Sequence, residues 1–317
     1  MTTFVDTIQG GSPVLTEGAM VERIRRHPDA ALDPEIAHAG LVYSDSGRKV
    51  LAGIYRQYLS IGRRYDLPML TLAPSWRANP ERIEKSGIGR TVENLNRDCI
   101  SFLKEIREGY GTYRRKIFVA GMLACRGNAY DPTEALGEKE AEQFHSRQAA
   151  ALAGGGVDFI KAATLPAVSE AIGIARAIGK TGVPAVLSFV IRPDGAVLDG
   201  TPLDAAIEKI DAFVDPAPAF YMVNCVHPTV FIDAMGVATA RSENVARRVL
   251  GFQANTSAKS PEELDNLGYL DTTEPAPFAE MMMKIHQKFG TRVLGGCCGT
   301  DDRHIEKIAQ QLAGAPT

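Results

Sequence analysis

Val157 to Ile191 reads VDFIKAATLPAVSEAIGIARAIGKTGVPAVLSFVI. Val157–Ala163 and Pro184–Ile191 are short, continuous apolar runs, and Ala167–Ile178 between them reads as a helix. Strands covered on both faces lack the polar alternation of a half-exposed sheet, so such runs predict parallel strands packed under helices. A parallel pair also requires a crossover of a dozen or more residues, which the helix supplies. The same unit recurs in both directions along the chain. Upstream, strands are expected at Pro13–Thr16, Leu67–Ala73 and Lys116–Gly121, and downstream at Ala219–Asn224, Val249–Ala254 and Thr291–Gly296. Helices are expected at Asp45–Tyr65, Thr91–Gly109, Thr133–Ala153, Asp204–Phe213, Pro277–Phe289 and Asp302–Leu312. In the first of these, Val50, Ile54, Tyr58 and Ile61 follow a period close to that of a helix. Eight strand–helix units in 317 residues predict one (β/α)8 TIM barrel, a single domain over residues 1–317. A doubly wound open sheet is the alternative, and no G-x-G-x-x-G follows the first strand to support it.

Composition narrows the function. Hydrophobic residues make up 45% and charged residues 23%, a balance that builds a packed core rather than a disordered chain. The net charge of -3 and the absence of a basic block argue against nucleic acid as a partner. No apolar run approaches the roughly 18 residues of a membrane helix. The opening MTTFVDTIQGGSPV has neither a basic nor an apolar signal region, so a cytoplasmic protein is expected. Five cysteines, an odd number in a long chain, make a poor disulfide framework. In a reducing compartment their purpose is then metal binding or catalysis.

Barrel enzymes place their chemistry at the C-terminal ends of the strands. The sixth strand ends in Asn224-Cys225, and the eighth runs into Gly295-Gly296-Cys297-Cys298-Gly299. Both ends face the same rim with one strand between them, so three sulfurs can converge there. Thiolates bind zinc, and a catalytic site keeps a fourth position open. The flanking glycines permit the sharp turn that two adjacent ligands need. Spacing alone leaves a second reading, with Cys225 as a small core residue and Cys297-Cys298 as an inert or redox-active pair. Cys99 falls in a helix and reads as core; Cys125, after the third strand, lies on the rim. His227 competes as a ligand or lines the rim, and His145 and His304 fall in helices.

These segments resemble the homocysteine S-methyltransferase family. The resemblance rests on Val223-Asn224-Cys225 and on Gly295-Gly296-Cys297-Cys298-Gly299-Thr300. It extends through Val157–Ile160 to Thr164-Leu165-Pro166, Ser188-Phe189, Asp199-Gly200-Thr201 and Leu15–Glu22, nearly the whole chain. It implies a barrel holding Zn2+ through Cys225, Cys297 and Cys298. It also implies a small-molecule thiol acceptor, by default homocysteine going to methionine, and a methyl donor with a positively charged sulfur or nitrogen. Metal-activated thiolate and in-line alignment would suffice, without a general base in the transfer step. The chain has the length of the barrel alone, which favours a small sulfonium donor over methylcobalamin.

Two positions depart from the family. Where the family carries Glu before Thr at the end of the fourth strand, expected to hold the amino group of homocysteine, this chain has Ala163-Thr164. Where Asp-Gly-Gly is expected after the first strand, it has Thr16-Glu17-Gly18. Either Glu17 takes over the ammonium from across the rim, or the acceptor is another thiol without an amino group. Glu17, Gly18, Trp76, Thr164 and Asn224 are the candidate substrate-binding residues. Trp76 offers an aromatic face for a cationic donor, or packs a loop. Arg77, Arg126 and Arg192 lie near strand ends, where they meet a carboxylate or solvent. Pro275-Ala276-Pro277 and Met281–Met283 are candidates for a subunit contact in an oligomer, or for core filling. A non-catalytic, redox-responsive barrel is the reading from another class.

Overall fold

Parallel strands that bury both faces have no exposed edge to spare, and here they close on themselves. The computed structural model describes residues 3–259 and 272–314, so the ends of the expected 1–317 domain lie outside the described residues. The strands are β1 (Val14–Thr16), β2 (Met69–Leu72), β3 (Ile117–Leu123), β4 (Phe159–Leu165), β5 (Ala185–Phe189), β6 (Phe220–Asn224), β7 (Val249–Ala254) and β8 (Val293–Gly296). They form a closed barrel in sequence order. Closure runs through parallel pairing of β8 with β1, with Val14 opposite Val293 and Leu15 opposite Leu294. The expected TIM barrel is therefore the fold, and every expected strand is present within about two residues.

The helices among the described residues are α1 (Phe4–Gln9), α2 (Val21–Arg25), α3 (Asp45–Arg64), α4 (Pro80–Ser86), α5 (Val92–Glu108), α6 (Glu138–Gly154), α7 (Val168–Gly179), α8 (Leu203–Phe213), α9 (Pro228–Arg241), α10 (Asn244–Arg248), α11 (Pro275–Phe289) and α12 (Asp302–Leu312). None is long and apolar enough to cross a membrane.

Two expectations need correction. The sequence reading assigns no helix between β6 and β7, yet α9 and α10 occupy that connection. Pro228 stands in the first turn, where its missing N–H costs nothing, and the His227 ring caps Thr229 N. The other correction is the start of α6. A helix from Thr133 is expected, but only a 3-10 turn forms over Pro132–Glu134, with Asp131 capping Thr133 N. The α-helix begins at Glu138, after Gly137.

Two packed layers result. Between strands and helices lies the main core, which takes in Tyr55, Ile100, Leu187 and Phe252 among many others. Inside the barrel, at the N-terminal end of the strands, Val14, Leu70, Phe118, Phe159, Val186 and Phe220 form a second cluster. The α1 helix seals it from below: Phe4 stacks on Phe159 at 4.0 Å between ring centroids. Met282, in the methionine run of α11, is buried in the main core. An apolar plug at one end leaves the opposite rim, where the strands end, for chemistry.

Candidate metal centre

The inward positions of β4 change character along the strand. Phe159 belongs to the apolar plug, and Lys161 and Ala163 follow it at the two-residue period of one strand face. Lys161 is buried and donates to Gln253 Oε1 on β7. Past Ala163 the strand is irregular, with the register against β5 shifting between Ala163 and Leu165. Thr164 there adopts a positive φ of 63°. Bulges of this kind re-aim side chains at barrel rims.

Asn224, the last residue of β6, holds this bulge. Its Oδ1 accepts from Thr164 N at 3.0 Å and from Ser188 Oγ at 2.6 Å. Its Nδ2 donates to Thr164 Oγ1 at 2.8 Å and to Cys225 Sγ at 3.1 Å. Cys225 also has a positive φ, 59°, so the chain turns sharply as it leaves β6 and aims the thiol across the rim. Two strained residues side by side are sustained because one buried amide bonds to both.

The partner pair arrives from β8. Cys297 N donates to Ala254 O at 2.7 Å and Cys298 N to Asn255 Oδ1 at 3.1 Å. Asn255 Nδ2 donates in turn to Cys225 O at 2.9 Å. Asn255, just past β7, thus ties the ends of β6 and β8 together. The turn through Cys297-Cys298 depends on its glycines. A side chain at Gly299, which has φ +82°, would run into Thr256 Oγ1. Gly299 N also donates to the Glu22 carboxylate.

The three sulfurs of Cys225, Cys297 and Cys298 lie within 4.8 Å of one another, the only such cluster of metal-ligating side chains among the described residues. Three thiols this close cannot all ionise alone. Hydrogen bonds from Cys297 and Cys298, and then from Asn224 and Tyr130, hold Cys225 well below the ordinary thiol range. Cys297 and Cys298 are pushed up, chiefly by their bonding to Cys225. One negative charge is held where a divalent cation would let all three form. Cys225 is buried, Cys297 half-buried and Cys298 exposed, so the cluster opens to the rim on one side. Three sulfur donors with an accessible side fit a catalytic zinc site.

The remaining candidates fall around this centre. Cys99 is in the core and Cys125 is buried beside Gly127, its thiol pushed up to about 12 by burial. His145 pairs with Glu170 in full burial at 2.9 Å, and His304 caps α12 through Asp301. The half-buried Trp76 donates from Nε1 to Ala163 O at 3.4 Å, and one face of its ring carries the Arg77 guanidinium at 5.0 Å. Arg126 is ion-paired with Glu81, and Arg192 is exposed in the turn after β5. Gly18 sits where a Cβ would lie 2.7 Å from the Tyr58 hydroxyl, so close packing keeps that position small.

Glu17 does not stand in solvent at the rim. It is buried against β2, where Oε1 accepts from Thr71 Oγ1 and from Leu72 N at 2.8 Å. Burial pushes its carboxyl up to about 8, against the pull of Thr71, Leu72 and Lys161. The folded protein then holds a proton that the unfolded chain releases near pH 4.5. This contribution to stability is complete below that pH and is lost as pH rises towards 8. Glu17→Gln is therefore expected to flatten the fall in Tm between pH 5 and 8, as read by thermal melts across that window. An unchanged slope would remove Glu17 as its cause.

Sequence reasoning passed over Tyr130, Asn255 and Lys161. Tyr130 reaches Cys225 with its hydroxyl from the loop after β3, and the thiolate's charge pushes its own ionisation far up. That loop is pinned at both ends by Glu170, whose carboxylate accepts from Arg126 N at 2.7 Å and Leu136 N at 3.4 Å. Only Asn255 carried a signal, as a polar residue following a strand on the functional rim.

A family model described as homocysteine S-methyltransferase matches residues 14–312. Among curated relatives, betaine--homocysteine S-methyltransferase 1 of Bos taurus is 21% identical, over 98% of this chain and 74% of that protein. Homocysteine S-methyltransferase 4 of Zea mays is 24% identical over 96% of each. Among solved structures, the metallated form of the homocysteine methyltransferase MmuM from Escherichia coli superposes with a TM-score of 0.74. It is 18% identical, and the match covers 95% of this chain and 96% of that one.

Proposed function

The chain belongs to the homocysteine S-methyltransferase family and is a methyltransferase, and from that premise we propose that it is zinc-dependent and methylates a thiol at the Cys225–Cys297–Cys298 centre. The observation that carries this reading is the convergence of three sulfurs within 4.8 Å on an open rim. Bound there, zinc would supply a Lewis acid that keeps an acceptor sulfur ionised at neutral pH. Everything else falls to the chain. Asn224 and Tyr130 donate to Cys225 and fix its direction. Asn255 holds the two strand ends at a constant separation. The acceptor loses its thiol proton to solvent on binding, and its sulfur forms a bond to the methyl carbon. The donor's bond from that carbon to sulfur or nitrogen breaks, and the electron pair leaves with a neutral sulfide or amine. No side chain need move a proton during transfer.

Homocysteine is the acceptor that the relatives' names suggest. A thiol without an amino group is the second reading, favoured by two observations. Ala163 is buried and offers nothing to an ammonium, and Glu17 is already engaged by Thr71 and Leu72. Zinc analysis of the reduced protein, followed by an acceptor-by-donor activity matrix, tests the proposal. One zinc per chain and thiol-dependent methyl transfer that stops on chelation are expected. Transfer that persists without metal would overturn it, and the acceptor column separates the two readings.

A further inference from the structure

We infer that Arg77 is the carboxylate anchor of this site, fixing the acidic end of one of the two substrates over the cysteine cluster. The inference deepens the proposed methyl transfer and rests on it. Arg77 follows β2 on the functional rim, beside Trp76, whose indole is hydrogen-bonded to Ala163 O at the end of β4. Its guanidinium carbon lies over that ring, 5.0 Å from the centroid, a cation–π contact that helps hold it in place.

The neighbouring cations are all occupied. Arg82 pairs with Glu35 at 3.3 Å and donates to Arg126 O, while Arg126 itself pairs with Glu81 at 2.9 Å. Arg77 is half-buried, yet among the described residues it makes no ion pair and no hydrogen bond. Burial and the like charge of Arg82 both disfavour its charge, against weaker support from Cys125, Glu35 and Tyr130. A guanidinium held in that state gains from any arriving carboxylate, because five fixed donors match a two-oxygen acceptor.

Its position sets where that carboxylate must lie. Trp76 links the two regions: its indole N–H meets Ala163 O at 3.4 Å, and the next residue, Thr164, has its Oγ1 4.0 Å from Cys225 Sγ. A molecule with its sulfur or methyl at the cysteines therefore has Arg77 within reach of its far end. A short thiol acid and a zwitterionic methyl donor share this chemistry.

Matched substrate pairs separate the two sources. For the acceptor, 3-mercaptopropionate is compared with its methyl ester; for the donor, S-methylmethionine with trimethylsulfonium. In the natural protein, one pair should favour the acid by about 10- to 100-fold in kcat/KM, the scale of a hydrogen-bonded charge. In Arg77→Met that preference should collapse towards unity, chiefly through KM, and Arg77→Lys should restore part of it. Calorimetric titration with S-methylmethionine or 3-mercaptopropionate reads the same loss without turnover. A preference that survives in Arg77→Met, or no preference in either pair, overturns the anchor. Absence of zinc and of any methyl transfer would instead remove the proposed function beneath it.

Discussion

Cys225→Ala should purify as a folded barrel that has lost stoichiometric zinc and at least about three orders of magnitude of methyl transfer, the scale expected when an essential activating group is removed. The two halves of this expectation have different origins. The fold is held by the closed strand ladder and by two apolar clusters, neither of which needs the thiol. Alanine at φ 59° carries the same backbone strain as cysteine, so the cost to stability is that of one small buried group, about 1 kcal/mol. The chemistry has no such redundancy. With one sulfur gone, two donors remain on a single turn, and β6 offers no third. Zinc analysis, far-ultraviolet circular dichroism and the transfer assay on one preparation check the combination. A variant that keeps both zinc and activity would show that the centre is built from other residues. A variant that unfolds would make the metal structural, because metal loss and unfolding would then be coupled.

The barrel was legible because its evidence is local. Each strand is a short apolar run bounded by turn residues, and the same signal repeats around the ring. Even the distant cysteines were legible, since barrel topology brings the ends of β6 and β8 to one rim. What escaped depends on contacts between elements. Glu17 reads as a rim carboxylate, but the approach of β2 buries it against Thr71 and Leu72. The stretch before α6 reads as helix, but Glu170 on α7 pins it as a loop through Arg126 and Leu136. Tyr130 acquires its role from that loop's path, which no periodicity encodes. Lys161 sits inside an otherwise apolar strand, where its partner Gln253 is three strands away.

Asn224→Ala should show how strongly the strained rim depends on one amide. The substitution removes the acceptor of Thr164 N and Ser188 Oγ and the donor to Thr164 Oγ1 and Cys225 Sγ. Thr164 and Cys225, at φ 63° and 59°, lose the bonds that hold them there. Buried groups left without partners cost about 1–3 kcal/mol each, but the loosened bulge relaxes, so a net loss of about 2–4 kcal/mol is expected. For a chain of this size that is a fall in Tm of about 3–6 °C. Zinc affinity should drop about 10- to 100-fold, as it does when a group that orients a ligand is lost. Ser188→Ala is the comparison, because it takes away only the 2.6 Å bond to Oδ1 and leaves the Cys225 contact intact. It should cost about 1 kcal/mol and leave zinc affinity close to that of the natural protein. The double variant should be little worse than Asn224→Ala alone, since both changes act on one network. Equal effects of the two single changes on zinc would mean that Asn224 packs the rim without aiming the thiol. Strict additivity in the double variant would mean that Ser188 and Asn224 stabilise the barrel separately.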